Sequence, residues 1–169
     1  MRAAAAILTV LVVTSTATAH AQLVRPPSAS SLLDRISVET SVVAEKAVPG
    51  GTVVLHLEVS PDRGMRVFAP GAKNFVPVMV IMTRPKGIKS GKPSYDIPDY
   101  EKNPGNDKRV PLYGRNFKID HIVTIDKDVE PGTEIRVSGA LTYQTCDERI
   151  VYPKRTMAVR WTIRVEQPE

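Results

Sequence analysis

Cys146 is the residue of this chain best suited to chemistry, because it is the only cysteine among 169 residues. It lies in residues 141–153, LTYQTCDERIVYP, which join two segments that alternate apolar and polar residues. A single thiol cannot form a disulfide within its own chain, so it is either buried and inert or reactive toward an outside molecule. The acidic neighbours Asp147 and Glu148 tend to raise its pKa and Arg149 tends to lower it. The residues alone leave its reactivity open.

Other kinds of catalytic or metal site find little support in the sequence. His56 and His121 lie inside strand-like patterns with no further ligand at metal-binding spacing, and no histidine follows Cys146 as a copper site of the His, Cys and Met kind requires. The chain has no G-x-S-x-G motif and no glycine-rich phosphate loop. We therefore predict no cofactor and no metal site, and we interpret both histidines as structural.

The first 21 residues have the pattern of a secretory signal peptide. Arg2 precedes a small and apolar run over residues 3–13, and Ala19-His20-Ala21 forms a small-residue cleavage site. The run is shorter than the ~20 apolar residues that a membrane-spanning helix needs. We predict export with cleavage after Ala21, and no membrane span after that removal. Export places the lone thiol in an oxidising compartment, where paired cysteines are normal.

The charge pattern favours no nucleic-acid partner. The chain carries a modest net charge of +5, and its densest basic run, residues 84–92, has no interleaved aromatic residues. Such a run is typical of a solvated loop.

Period-two alternation dominates the chain after a proline- and serine-rich lead-in at residues 22–34. We predict one domain over residues 35–167, built from about seven short strands with turn signals between them and no helices. The fold expected from this pattern is all-β, an antiparallel β-sandwich of immunoglobulin-like type. The predicted inward rows include Val53, Leu55, Leu57 and Val59; Phe117, Ile119, His121, Val123 and Ile125; Ile135, Val137, Gly139, Leu141 and Tyr143; and Met157, Val159, Trp161, Ile163 and Val165.

Residues 85–111 interrupt this alternation. The segment contains five prolines and has no clear periodicity, which predicts a long irregular excursion. Loops of that length in a compact domain are uncommon and often functional, so the segment is either a lid or binding loop or an ordinary solvated connection.

Several ordered motifs resemble those of a known family, with Arg66 in place of its usual histidine and Phe68 in place of its usual tyrosine. They are Met65-Arg66-Val67-Phe68-Ala69-Pro70-Gly71, Asn74-Phe75-Val76-Pro77, Val110-Pro111-Leu112-Tyr113-Gly114 followed by Phe117, Tyr143-Gln144-Thr145-Cys146 followed after four residues by Val151-Tyr152-Pro153, and Met157-Ala158-Val159-Arg160-Trp161. Together they make the chain similar to the N-terminal domain of the thiol:disulfide interchange protein DsbD.

This resemblance implies an immunoglobulin-like fold, a periplasmic location and a site at the 141–153 hairpin. In the family two cysteines bracket a loop and exchange electrons with periplasmic thiol proteins, beneath a cap loop. Cys146 matches the first family cysteine, and Val151 stands where the second belongs. The residues that the resemblance places around the site are Tyr143, Gln144, Tyr152, Pro153 and Phe68. The implied partner is a thioredoxin-like or DsbD-type periplasmic protein.

The valine argues against the family's full activity. Exchange through a disulfide needs a resolving thiol to release the mixed-disulfide intermediate, and this chain has no second thiol. The leading hypothesis is a protein-interaction module of periplasmic thiol/disulfide or cytochrome-maturation pathways that is not a dithiol enzyme, with residues 85–111 as a candidate cap. The alternatives are a monothiol redox protein, in which Cys146 forms mixed disulfides or a sulfenic acid, and a structural sandwich with a vestigial thiol.

Overall fold

The computed structural model describes residues 34–44, 46–102 and 108–168, and these ranges form β-strands joined by turns and short connections. The predicted signal peptide, residues 1–21, and all but the last residue of the predicted lead-in, residues 22–34, lie outside the described residues. Nowhere in the described ranges does a helix reach the length and hydrophobicity that crossing a bilayer requires.

Eleven strands occur in the described residues, and every strand pair is antiparallel. They are β1 (Ile36–Val43), β2 (Thr52–Pro61), β3 (Arg66–Phe68), β4 (Met79–Met82), β5 (Ile88–Tyr95), β6 (Asp99–Lys102), β7 (Arg109–Tyr113), β8 (Phe117–Ile125), β9 (Glu134–Tyr143), β10 (Thr145–Cys146) and β11 (Arg155–Arg164). Three sheets result, with strand orders β1-β2-β8-β5, β10-β3-β7-β6 and β11-β9-β4. The predicted all-β class and immunoglobulin-like antiparallel sandwich are confirmed, although the strands outnumber the seven expected.

The predicted alternation places the core as expected. In a strand, successive side chains point to opposite faces, so every second residue of a half-buried strand lies inside. The predicted inward residues of β2 and β8 are all buried, and those of β9 and β11 are buried except for Gly139 and Met157, which are partly exposed.

Gly139 marks a close approach between strands, as its position in an apolar row predicts. A Cβ atom at this position would lie 3.1 Å from the carbonyl oxygen of Ile81 and 3.2 Å from a methyl carbon of Val159. Such distances are tighter than ordinary contacts, so glycine is what lets β4 and β11 flank β9 here.

The expectation of an irregular excursion over residues 85–111 is wrong for the part of the segment that the structure describes. Its described residues contain β5, β6 and the start of β7, with irregular backbone between β5 and β6. Both β5 and β6 are edge strands of their sheets, where prolines are tolerated because one side of the strand needs no ladder hydrogen bonds. Pro93 also follows a shift of register between β5 and β8. The proline and the register shift interrupt the alternation of apolar and polar residues in β5, although the segment still forms a strand.

The buried apolar side chains form two separate clusters. The larger one fills the sandwich between the inward rows, and the indole N–H of Trp161 within it donates to the carbonyl oxygen of His56 at 2.9 Å. The smaller cluster lies at the sheet β10-β3-β7-β6 and contains Cys146. The lone thiol is therefore buried outside the main core.

The two described histidines lie in different surroundings. His56 faces Asp120 across β2 and β8, with Nδ1 and Oδ1 2.5 Å apart. His121 is 5% exposed on the inward face of β8, and neither ring nitrogen forms a hydrogen bond of acceptable geometry with a described residue. Burial lowers the pKa of His121 below its usual 6.5, an effect that a nearby backbone group of Gly91 opposes in part.

We expect His121 to make stability depend on pH just below neutrality. Its folded-state pKa is lowered, so as the pH falls below 6.5 the unfolded chain takes up the proton first and the free energy of unfolding decreases. The slope for one such group approaches about 1.4 kcal/mol per pH unit. Urea denaturation between pH 5 and 7 measures it. His121→Leu should flatten this dependence, and an unchanged slope in that variant would contradict the assignment.

Candidate functional site

The hairpin that carries Cys146 begins where the chain passes from one sheet to another. Strand β9 ends at Tyr143 in the three-stranded sheet, and β10 begins at Thr145 beside β3 in a four-stranded sheet. Gln144 lies between them, and its carbonyl oxygen accepts a hydrogen bond from the backbone N–H of Phe68 at 3.1 Å.

The side chain of Gln144 holds three segments together at this crossing. Its Oε1 accepts a hydrogen bond from the backbone N–H of Val76 at 2.9 Å, and its Nε2 donates to the carbonyl oxygen of Tyr152 at 2.9 Å. An amide is suited to this position because it supplies one acceptor and one donor to two backbone groups that would otherwise lack partners.

Cys146 and Val151 lie directly opposite each other across the hairpin. They form an antiparallel β-bridge, flanked by hydrogen bonds from Tyr152 N–H to Thr145 O at 2.9 Å and from Asp147 N–H to Ile150 O at 3.0 Å. Because the flanking residues exchange these bonds, Cys146 and Val151 are a non-hydrogen-bonded pair, in which Cα atoms are typically about 4.5 Å apart. That spacing is within the range that a disulfide spans.

Asp147 organises the turn of the hairpin. Its Oδ1 accepts hydrogen bonds from the backbone N–H groups of Arg149 at 2.7 Å and Ile150 at 2.8 Å, and its Oδ2 accepts one from the Tyr152 hydroxyl at 2.5 Å. The Tyr152 hydroxyl, followed by these two N–H groups, lowers the pKa of the Asp147 carboxyl to about 2. The guanidinium of Arg35 lies 3.5 Å from the centre of the Tyr152 ring, a cation–π contact that ties the hairpin to the start of β1.

Aromatic and aliphatic side chains cover the thiol. Cys146 is 0% exposed. The rings of Phe68 and Phe75 stack with centroids 4.2 Å apart and an interplanar angle of 4°. The smaller cluster, called here the thiol cluster, contains Phe68, Ala72, Val110, Leu112 and Cys146, with Phe75 and Val151 packed against it.

The surroundings of Cys146 favour the protonated thiol. Burial raises its pKa from 9.0 to about 11, Arg66 opposes the rise, and Asp147 and Glu101 add to it. Arg66 is the strand partner of Cys146, and its Nε lies 2.7 Å from Oε2 of Glu101, so much of its positive charge is balanced. A thiol in this state is a weak nucleophile near neutral pH, because the thiolate is the reactive form.

The residues predicted to frame Cys146 lie in four different places. Phe68 and Val151 contact the thiol cluster, while Gln144 and Tyr152 hold the hairpin in place. Tyr143 lies in the main core with its hydroxyl donating to the carbonyl oxygen of Asp34 at 3.0 Å, and burial raises its pKa. Pro153 is exposed after the hairpin. The redox role predicted for Cys146 stays a prediction.

Other residues of the site were not predicted as such. Phe75 and Leu112 belong to motifs that carried the family resemblance, so a signal existed in the sequence, but their convergence on Cys146 could not be derived from it. From the candidate cap, residues 85–111, Val110 joins the thiol cluster and Glu101 pairs with Arg66. The described residues contain no group of three or more histidine, cysteine or acidic side chains arranged to hold a metal.

Comparisons with known proteins identify the fold. No protein-family model and no curated protein sequence matches the chain. Among solved structures, the N-terminal periplasmic domain of ScsB from Proteus mirabilis matches with a TM-score of 0.51 and 15% identity, over 80% of this chain and 48% of that one. The chain shares the fold of that domain. This chain spans about half the length of the ScsB structure. Because the sequence identity is only 15%, the similarity is one of fold alone.

Two further structures match with lower scores. The reduced N-terminal domain of DsbD from Neisseria meningitidis has a TM-score of 0.42 and 16% identity, over 72% of this chain and 82% of that one. The GAE domain of GGA2p from Saccharomyces cerevisiae has a TM-score of 0.41 and 7% identity, over 76% and 88%. Two proteins with such different names score alike, so these values do not distinguish between functions.

We expect Cys146 to react slowly with a thiol reagent such as DTNB while the protein is folded. A pKa raised from 9.0 to about 11 makes the thiolate population at pH 7.5 about 100-fold smaller than in the unfolded chain, and the cover excludes the reagent further. Phe75→Ala removes one of the two stacked rings and should speed labelling by about tenfold, because local opening then costs less.

Ile81→Ala is the matched control for this experiment. Ile81 is 66% exposed on β4 and lies outside the thiol cluster, so its truncation should leave the labelling rate unchanged. Fast labelling of the unsubstituted folded protein would contradict the buried, protonated thiol.

Proposed function

We propose that this chain is an exported protein-interaction module of the periplasm. It docks a thioredoxin-like protein in thiol/disulfide or cytochrome-maturation traffic, and it does not carry out dithiol exchange itself. The pairing of Cys146 with Val151 across the hairpin carries this proposal. The two positions face each other as the two cysteines of a disulfide would, but only one of them carries a sulfur. This arrangement supports a protein that keeps the structure of such a site without its exchange reaction.

The absence of a second sulfur limits what Cys146 can do. If its thiolate attacks a disulfide of another protein, one sulfur of that disulfide leaves as a thiolate and a mixed disulfide forms. A neighbouring thiol would then have to attack Cys146 to release the partner and close an internal disulfide. Val151 has no sulfur to do so, and Cys146 is the only cysteine of the chain.

The location and partner class draw on two further observations. The ScsB structure that shares this fold is described as a periplasmic domain, and residues 1–21 have the pattern of an export signal. The class of partner, a thioredoxin-like protein, is inferred from the motifs that resemble the DsbD N-terminal domain. The described surface adds an exposed apolar side chain, Ile150, at the tip of the hairpin beside the thiol.

A monothiol redox protein is the second candidate, and the structure supports it less well. Cys146 is fully buried with a raised pKa, so attack on a partner would require the cover to open and the thiol to ionise first. The nearby guanidinium of Arg66 favours the thiolate, but its ion pair with Glu101 weakens that effect. A purely structural thiol remains the third candidate, and it predicts no thioredoxin-like partner.

We expect Val151→Cys to restore a disulfide with Cys146. Oxidation by oxidised glutathione would remove two electrons and two protons from the two thiols and form the S–S bond. A bridge that closes this short loop should stabilise the fold by about 2 kcal/mol in the chain-entropy treatment. Counting free thiols after denaturation should give none in the oxidised variant, and reduction should lower its thermal midpoint.

Ile150→Cys is the control for that variant. Ile150 is the neighbour of Val151 in the chain, so in a strand-like hairpin its side chain points to the opposite face. The two thiols of Ile150→Cys should both remain free in the monomer. Free thiols in oxidised Val151→Cys would show that the hairpin does not have the geometry of a disulfide site.

The function itself is tested by capture of a partner. The purified chain and its Cys146→Ser variant are each immobilised and incubated with a periplasmic extract from the source organism, and bound proteins are separated without reductant. We expect both to retain the same protein with a thioredoxin fold, and both to release it in high salt or mild denaturant.

Two outcomes would contradict this docking function. Capture that requires Cys146 and is released only by a reductant would favour the monothiol reaction instead. Failure of both chains to retain any thioredoxin-fold protein would remove the docking hypothesis and favour a structural role for the thiol.

A further inference from the structure

An open groove lies beside the thiol cluster. Its volume is about 410 Å³, within the range of ligand-binding clefts. It lies between the segment that follows β3 and the strands β6 and β7. The described residues that line it are Gly71, Lys73, Asn74, Phe75, Tyr100, Lys108, Arg109, Val110 and Pro111.

Two residues belong to both the groove and the thiol cluster. Phe75 and Val110 line the groove, and both also pack in the cluster that buries Cys146. Val110 and Pro111 are buried and form the base of the groove, whereas Tyr100 is 59% exposed at its side. The groove therefore offers one aromatic and aliphatic surface, which an apolar side chain can contact.

Positive charge surrounds this apolar surface. Lys73 and Arg109 are exposed, and no carboxylate occurs among the described residues that line the groove. The Arg109 guanidinium donates from Nε at 3.0 Å and from Nη2 at 2.5 Å to the carbonyl oxygen of Tyr100. That acceptor is neutral, so it fixes the guanidinium in place without cancelling its charge. The matching ligand is an anion with an apolar part.

The edge of β6 is poorly suited to pairing with another strand. The Pro111 carbonyl opposite Tyr100 bonds to Ala69 N–H on the β3 side, so Tyr100 and Pro111 are a non-hydrogen-bonded pair and the Tyr100 carbonyl faces the free edge of β6, where the Arg109 guanidinium donates to it. A strand added at this edge would find the Tyr100 carbonyl already occupied. Recognition by side chains in the groove is therefore favoured over extension of the sheet.

We propose that the groove docks an acidic segment of the partner protein, a short stretch in which carboxylates flank one apolar side chain. The apolar side chain packs on Phe75 and Val110, and the carboxylates face Lys73 and Arg109. This inference rests on the proposed docking function and adds the chemistry by which the partner is recognised. It places the contact beside the covered thiol, so that docking does not need Cys146 to be exposed.

The test uses a defined peptide with the folded chain. A fluorescein-labelled peptide of sequence Asp-Glu-Leu-Asp-Glu is titrated with the protein, and binding is followed by fluorescence anisotropy at low and high salt. We expect saturable binding that weakens as salt rises, because exposed charges are screened. The uncharged peptide Asn-Gln-Leu-Asn-Gln and the peptide Asp-Glu-Ala-Asp-Glu should each bind more weakly.

Matched variants locate the site. Lys73→Glu should weaken peptide binding by about five- to tenfold, the size expected for reversing one exposed charge. Lys92→Glu makes the same change on β5, outside the groove, and should weaken binding far less. Tyr100→Ala should weaken binding, and Ile97→Ala, at a side chain that is 94% exposed and does not line the groove, should not.

Three outcomes would overturn the inference. They are no saturable binding of the acidic peptide, equal effects of Lys73→Glu and Lys92→Glu, and equally tight, Lys73-dependent binding of a labelled single-stranded oligonucleotide, which would show a general polyanion site. Each can be told apart from failure of the docking function. If only the groove inference is wrong, Lys73→Glu should still capture the thioredoxin-fold protein. If the docking function is wrong, the unsubstituted chain should fail to capture it as well.

Discussion

The hairpin that carries the thiol depends on the two hydrogen bonds of one amide side chain. At Gln144 the chain leaves the β9 sheet and enters the β3 sheet, where its carbonyl oxygen accepts a hydrogen bond from Phe68 N–H. Its side chain adds two further bonds, to Val76 N–H and to Tyr152 O, both at 2.9 Å. A buried backbone group left without a partner costs about 1–3 kcal/mol, so the amide constrains the hairpin and the Phe75 segment together.

Cys146 lies in a small cluster of its own, neither in the main core nor on the surface. A thiol in the main core would be inert, and one on the surface would be open to oxidants in the solvent. Here the stacked rings of Phe68 and Phe75 pack in the cluster that buries it, and Phe75 also lines the neighbouring groove. Phe75 therefore belongs both to the packing around the thiol and to the groove that we propose as the docking site.

The sequence predicted the sandwich well because burial follows a regular period there. The rows in β2, β8, β9 and β11 alternate so regularly that the inward residues could be named, and Gly139 within one of them predicted a close approach. Strand β5 was missed because an edge strand tolerates Gly91 and Pro93, residue types that also mark loops. Strand β6 was missed because its four residues, Asp99–Lys102, are too few to show a clear alternation. The pairing of Cys146 with Val151 was expected only by resemblance. The cover formed by Phe75 and Leu112 depends on contacts between segments far apart in the chain, which no local pattern encodes.

The separation of the two clusters has a consequence for motion. Regions with little buried apolar surface open with a smaller free energy than the whole domain, as cooperative units of their own. The sheet of β10, β3, β7 and β6 contains only short strands, whereas the sandwich is built on strands of up to ten residues with Trp161 fixed in its core. Local opening around the thiol cluster can then expose the sulfur while the main core stays packed. Amide hydrogen exchange at Thr145 and Cys146 would report this event separately from the exchange of β8 and β9.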